Sequence, residues 1–238
     1  MFTFMTLGFL IGLQHALEAD HIAAVASLAS GKTGFRPIAR HGAIWGLGHA
    51  LTLGAFGGAV YALKLSLTGQ LANGLEFIVG AMLVGLGGHV IYRVIRDRIH
   101  FHVHQHRGGP AHFHAHSHAG DKKPHAQSAH YHFHPDRSWK RSLSVGMMHG
   151  LAGSAALVAL TASTAPSAAS GFVFMVVFGI GSIIGMAAFS TVIAVPLALT
   201  AKTMTWANRG LQTAAGLFAL FFGLSIMVEK AAALATGM

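Results

Sequence analysis

Four ionisable side chains fall within seven residues near the start of this chain: His15, Glu18, Asp20 and His21, in the run His15-Ala16-Leu17-Glu18-Ala19-Asp20-His21. Neither Phe2 to Leu13 before them nor Ile22 to Ala29 after them carries a charge. The whole stretch is long enough to cross a bilayer, which puts the polar groups near mid-depth. Each such group costs roughly 2.5–3.5 kcal/mol on insertion and marks function by default. Neutral imidazole and carboxylate together are a donor set for a divalent transition metal.

Spacing adds a condition. On a regular helix His15, Glu18 and His21 spread over one side, about 120° wide, while Asp20 points away from Glu18. An unbroken helix does not bring His15, Asp20 and His21 to one ion. Either the helix unwinds there, or Glu18 shares the work; irregular backbone at membrane depth is tolerated where it lines a protected cavity.

The elements that must position these groups follow from composition. Of 238 residues 53% are hydrophobic and only 10% charged, against about 25% charged in a soluble domain. Thirty glycines suit helices that approach closely in a membrane. With no cysteine there is neither a disulfide framework nor a thiolate metal site. The fold class expected is an all-α membrane protein with six spans, near 2–28, 42–63, 74–95, 142–162, 170–200 and 208–230. Trp45 and Tyr61 lie in the second span, and Pro196 is expected to bend or end the fifth. The first span lacks a basic leader and a small-residue cleavage site, so it is expected to be retained. Residues 1–95 form a first three-helix unit, 96–141 a polar loop and 142–238 a second three-helix unit.

Fourteen of the 16 Lys and Arg fall on one side of this arrangement; only Lys64 and Lys230 fall on the other. The positive-inside rule makes the basic side cytoplasmic. Both termini then face out and the polar loop faces in. The net charge of +9 is thus a topology signal, and nucleic acid is not an expected partner.

The two units echo one another. Gly12 to Leu17 around His15 resembles Gly146 to Leu151 around His149. Gly46 and Gly48 match Gly179 and Gly181, and Leu75, Gly80 and Gly87 match Leu211, Gly216 and Gly223. Three helices per unit is odd, so the second must be inverted. Inverted repeats place transporter sites near the midplane at the repeat interface. The chemistry is lopsided: Ala152, Ser154 and Ala155 stand opposite Glu18, Asp20 and His21, and only His15 has its counterpart, His149. His49 and His149 join the candidate ligands. His41 is read as interfacial, His89 as packing or an exit path, and Glu76 as a helix cap or an interhelical bond.

The loop holds 12 of the 18 histidines. Three alternating tracts, His100, His102, His104 and His106, then His112, His114, His116 and His118, then His130, His132 and His134, place imidazoles on one face of an extended chain. Such tracts read as weak, exchangeable metal sites that fade below about pH 6 as imidazole protonates. They are expected to be an accessory buffer. Ser30-Gly31-Lys32-Thr33 is not a P-loop, because Ala26 stands at its first glycine and a membrane helix precedes it.

The run HALEADHIAAV, with His15-x4-Asp20-His21, resembles the signature helix of the nickel/cobalt transporter family and its shorter urease-accessory permease relatives. Leu47-Gly48-His49 and His149 to Ser154 are similar to two further segments of these proteins. Glu18 stands where the family often carries Asp. The resemblance implies movement of Ni2+ or Co2+ as substrate, with His15, Asp20 and His21 binding metal, and no prosthetic group. Six spans point to the short branch.

The function expected is therefore secondary uptake of Ni2+ or Co2+ through a multi-pass protein of the cell membrane, not an enzyme. The partners expected are the ion, the bilayer and a cytoplasmic nickel chaperone; oligomeric state stays open. The alternatives are efflux by the same site and a non-transporting membrane metal sensor or chaperone-docking protein.

Overall fold

The structure is a computed structural model that describes residues 2–29, 35–64, 68–96, 100–104, 112–116, 138–203 and 205–236. The first apolar segment is not one helix. α1 runs Phe2–His15 and α2 runs Ala19–Ala29, with turns at 16–18 between them. Leu17 N–H still donates to Gln14 and Glu18 N–H to His15, in short three-residue turns that tighten and end α1. The expected span 2–28 is thus corrected to two short helices, broken within the polar run itself.

α3 covers Phe35–Thr52, starting seven residues earlier than expected. It passes through a π-helical turn, Leu53–Gly57, into α4, Gly58–Ala62. α5 is Gly69–Arg96, with the Thr68 hydroxyl accepting from Leu71 N–H at its start. α6 is Ser138–Thr164, α7 Ala168–Thr203 and α8 Thr205–Thr236. α7 continues through Pro196 to Thr203, so the proline does not end it. Among the described residues four helical stretches are long and apolar enough to cross a membrane: Arg36–Ala62, Gly69–Arg96, Ala168–Leu197 and Trp206–Thr236. The molecule is a helical membrane protein, and among the described residues its only strands are an antiparallel pair, β1, His100–His104, and β2, His112–His116. Their register sets His100, His102 and His104 opposite His116, His114 and His112. His106, His118, His130, His132 and His134 lie outside the described residues.

Glycine sets how closely the helices approach. A methyl group on Gly12 would overlap the Phe178 carbonyl, and one on Gly146 the Trp45 carbonyl. Likewise Gly181 meets Phe9, and Gly48 meets Leu143. In the α5–α8 pair a Cβ on Gly80 would lie 2.8 Å from Gly223 O, and one on Gly87 2.6 Å from Gly216 O. Each of these contacts is matched by another of the six at the offset between the echoing sequence segments. Direction follows from the same contacts. α3 runs parallel to α6, α1 runs parallel to α7, and α5 lies antiparallel to α8. Arg36, Arg40, Arg93, Arg96, Lys140, Arg141 and Arg209 consequently gather at one end, and Lys64 and Lys230 at the other.

Candidate metal centre

The break between α1 and α2 does for the polar run what a regular helix cannot. His15 ends α1 and Asp20 and His21 begin α2, so the two helices aim these groups at one another. The ring centroids of His15 and His21 lie 4.4 Å apart. From α3, His49 adds its imidazole, with Nε2 3.2 Å from Nε2 of His15. From α6, His149 places Nε2 2.7 Å from Asp20 Oδ2, and its ring lies 4.2 Å from that of His21. Two sets of donor atoms lie within 4.8 Å of one another: His15, His21 and His49, and Asp20, His21 and His149. Five of the six residues expected from the helices therefore converge.

Burial and hydrogen bonding tell their roles apart. His21, His49 and His149 are buried, and His15 nearly so. Asp20 Oδ1 accepts from the backbone N–H of His21 at 2.8 Å and from its Nδ1 at 2.9 Å. With Nδ1–H of His21 and Nε2–H of His149 donating to Asp20, the lone pairs of His21 Nε2 and His149 Nδ1 remain. Both atoms are buried without a protein partner, as is His49 Nδ1. Buried polar nitrogens are normally paired, so these three stand out as atoms that could ligate a cation. A carboxylate that fixes the tautomer and orientation of a ligating histidine is a recurrent feature of metal sites. Glu18 stands at the rim, 55% exposed, and accepts from His15 Nδ1 at 2.8 Å. It orients His15 from outside the buried group.

A cavity of about 720 Å³ reaches the cluster from the end that carries Lys64 and Lys230. His15, Glu18, Asp20, His21 and His149 line it at depth, and Glu76, Leu160 and Ile226 line it nearer that end. Glu76 sits two turns inside α5 and pairs with Lys230 Nζ at 2.9 Å, so the interhelical reading holds and the capping reading does not. Lys230 also meets Glu229 at 2.9 Å.

His41 was expected at an interface; it is buried instead, with Nδ1 3.1 Å from Ser142 Oγ. His89 is exposed on α5, outside the cluster. Met147 and Met148, neighbours of His149 in sequence, are 47% and 42% exposed, whereas His149 is buried. Sequence reasoning missed two features beside the site. One is the π-helical turn Leu53–Gly57, one helical turn beyond His49; such turns occur often at functional sites. The other is Trp45, whose ring lies 5.5 Å from His21 and 5.9 Å from His149. The four-residue steps from His41 to Trp45 to His49 were a legible signal that the three share a helix stripe.

Comparison with known proteins adds an independent line. The chain is 32% identical over 229 residues to the urease accessory protein UreH of Bacillus sp. (strain TB-90), a match covering 95% of this chain and 91% of that one. It is 25% identical over 239 residues to the chloroplast protein FOR GROWTH AND FERTILITY 2 of Arabidopsis thaliana, covering 94% of this chain but only 55% of the plant protein. No family model matches the chain, and no solved structure matches it significantly.

Proposed function

We propose, from the fact that this chain belongs to the family of the urease accessory protein UreH, that it moves Ni2+ or Co2+ across a membrane through the buried His/Asp centre, inward. As a member of that family it is an accessory protein and not an enzyme. Its place within the wider nickel/cobalt transporter family is part of the same proposal. The observation that carries the reading is the buried histidine cluster: His21 and His149 share the Asp20 carboxylate, His49 meets His15, and His21, His49 and His149 each keep a buried imidazole nitrogen without a protein partner. Imidazole selects a borderline metal over Mg2+, which prefers oxygen and gives up water reluctantly.

Direction and topology are supported by charge. The Arg-rich end becomes cytoplasmic by the positive-inside rule, so the large cavity opens outward and the histidine strand pair lies inside. Counting the broken α1–α2 unit and α6 with the four long apolar stretches gives six crossings. The paired glycine contacts support two inverted halves: a pseudo-two-fold axis repeats each α1–α7 contact between α3 and α6, and makes each contact between α5 and its mate α8 twice. A divalent cation entering down an inside-negative potential gains about 4.6 kcal/mol per 100 mV, twice the single-charge figure. That suffices to drive uptake without a nucleotide site. His15, Asp20, His21, His49 and His149 hold the ion, Glu18 steadies His15, and the strand pair and the remaining loop histidines buffer metal at the inner face. A cytoplasmic nickel chaperone is the partner that would receive it.

The test is radiolabelled nickel accumulation in cells making equal amounts of parent, His15→Ala and Asp20→Asn proteins. Loss of accumulation in both variants is expected. Accumulation unchanged in both would refute the reading.

A further inference from the structure

The histidine cluster lies between the large cavity and a much smaller one. Along α3, His49, Trp45 and His41 follow one turn apart toward the Arg-rich end. Trp45 is fully buried, and its ring lies against His21 and His149. It is not part of the wall of the large cavity. Beyond it lies a void of about 10 Å³, bounded by Trp45 itself and by Val25, His41, Gly42 and Ser190. That is room for about one water molecule. A histidine and a serine lining such a void at this depth are unusual for a packed apolar core.

We propose that the Trp45 indole is the inner gate of the ion path, and that the pocket holding His41 and Ser190 is the next stop for an ion leaving the histidine cluster. This rests on the transport reading above. An indole filling the path excludes a divalent ion and its remaining water, which keeps the centre open to one side only. Alternating access needs that barrier to move. Trp45 Nε1–H has no protein partner, so rotating the ring breaks no hydrogen bond. The ring belongs to the same buried cluster as Val25 and Met186, and an unbranched methionine can repack around a moved neighbour. His41 and Ser142, bonded across α3 and α6, then offer polar groups one turn further along.

The chain has no cysteine, so one introduced thiol reports on one place. Ser190→Cys puts a thiol behind the indole. Gly153→Cys puts one in front, lining the large cavity, where an added Cβ meets nothing closer than 3.9 Å. A charged, membrane-impermeant thiosulfonate is applied from the face at which Gly153→Cys reacts, with no metal present. Ser190→Cys should be protected while Trp45 is in place. In Trp45→Ala it should react at least about tenfold faster, since a minor open state populated about 0.1–10% of the time masks the thiol by that factor. Trp45→Phe should keep most of the protection. An equal Gly153→Cys rate in every background shows the cavity intact; if Trp45→Ala changes that rate, Trp45→Leu is read in its place. Equal Ser190→Cys reactivity with and without the indole overturns the proposal, as does silence in the indole-free variant while Gly153→Cys reacts. Because no metal enters this assay, the gate fails or stands separately from the transport reading, which the nickel accumulation of His15→Ala and Asp20→Asn decides.

Discussion

Asp20→Asn changes one charge in the centre and almost no shape, which makes its consequence calculable. The carboxylate accepts two hydrogen bonds from His21, at 2.8 and 2.9 Å, and one from His149 Nε2 at 2.7 Å. An asparagine has a single acceptor oxygen. If that oxygen stays on His21, the amide N–H faces His149 Nε2, which must become the acceptor. The His149 proton then moves to Nδ1, a buried atom with no protein partner. An unsatisfied buried N–H costs about 1–3 kcal/mol. The same shift removes the lone pair from Nδ1 and caps the one on Nε2. Turning the amide the other way transfers the conflict to His21, whose backbone and ring N–H groups would both face a donor. Loss of such a partner typically lowers metal affinity about 10–100-fold, or about 1.4–2.8 kcal/mol. The assay is nickel titration calorimetry on purified protein, in a background whose 12 loop histidines are replaced by Asn so that the core site alone is read. An affinity within about threefold of the parent, in a protein of unchanged thermal stability, would refute the reasoning; a second-sphere loss alone should reach tenfold.

Three further outcomes follow from the same geometry. Glu18→Gln should cost less than about fivefold in nickel affinity by the same calorimetry, because exposed pairs of this kind contribute about 0–1 kcal/mol. Gly146→Ala should destabilise by about 1–3 kcal/mol through overpacking against the Trp45 carbonyl, whereas Gly85→Ala, which meets nothing within 4 Å, should hold or raise the thermal midpoint in detergent. Replacing the loop histidines should lower the number of nickel ions bound per chain, counted by equilibrium dialysis, and leave the tightest site unchanged.

Much of the arrangement was legible in the residues, for reasons that can be named. Apolar length alone located α5, α7 and α8, because a bilayer demands about 20 apolar residues whatever the neighbours are. Helical geometry showed that a regular helix does not bring His15, Asp20 and His21 to one ion, which left a local break or a share for Glu18, since side-chain direction on a helix is fixed by its period. It could not say which alternative the chain takes; the structure unwinds residues 16–18 and leaves Glu18 at the rim. The meeting of His49 with His15 and of His149 with Asp20 depends on tertiary packing through Gly12, Gly146 and Gly150, which a lone sequence shows only as a high glycine content. His41 was misplaced because neighbouring arginines suggested an interface, whereas its bond to Ser142, 101 residues away, is invisible to local reasoning. The π-helical turn after His49 has no reliable sequence signal of its own.

Flux in sealed vesicles holding the purified protein tests the central claim most directly. With an inside-negative potential and an indicator trapped in the lumen, nickel should enter vesicles containing the parent chain, cobalt should compete, and magnesium in large excess should not. Asp20→Asn, inserted to the same level, should show little entry above protein-free vesicles. Absence of nickel entry with the parent, or equal entry with Asp20→Asn, would contradict the account.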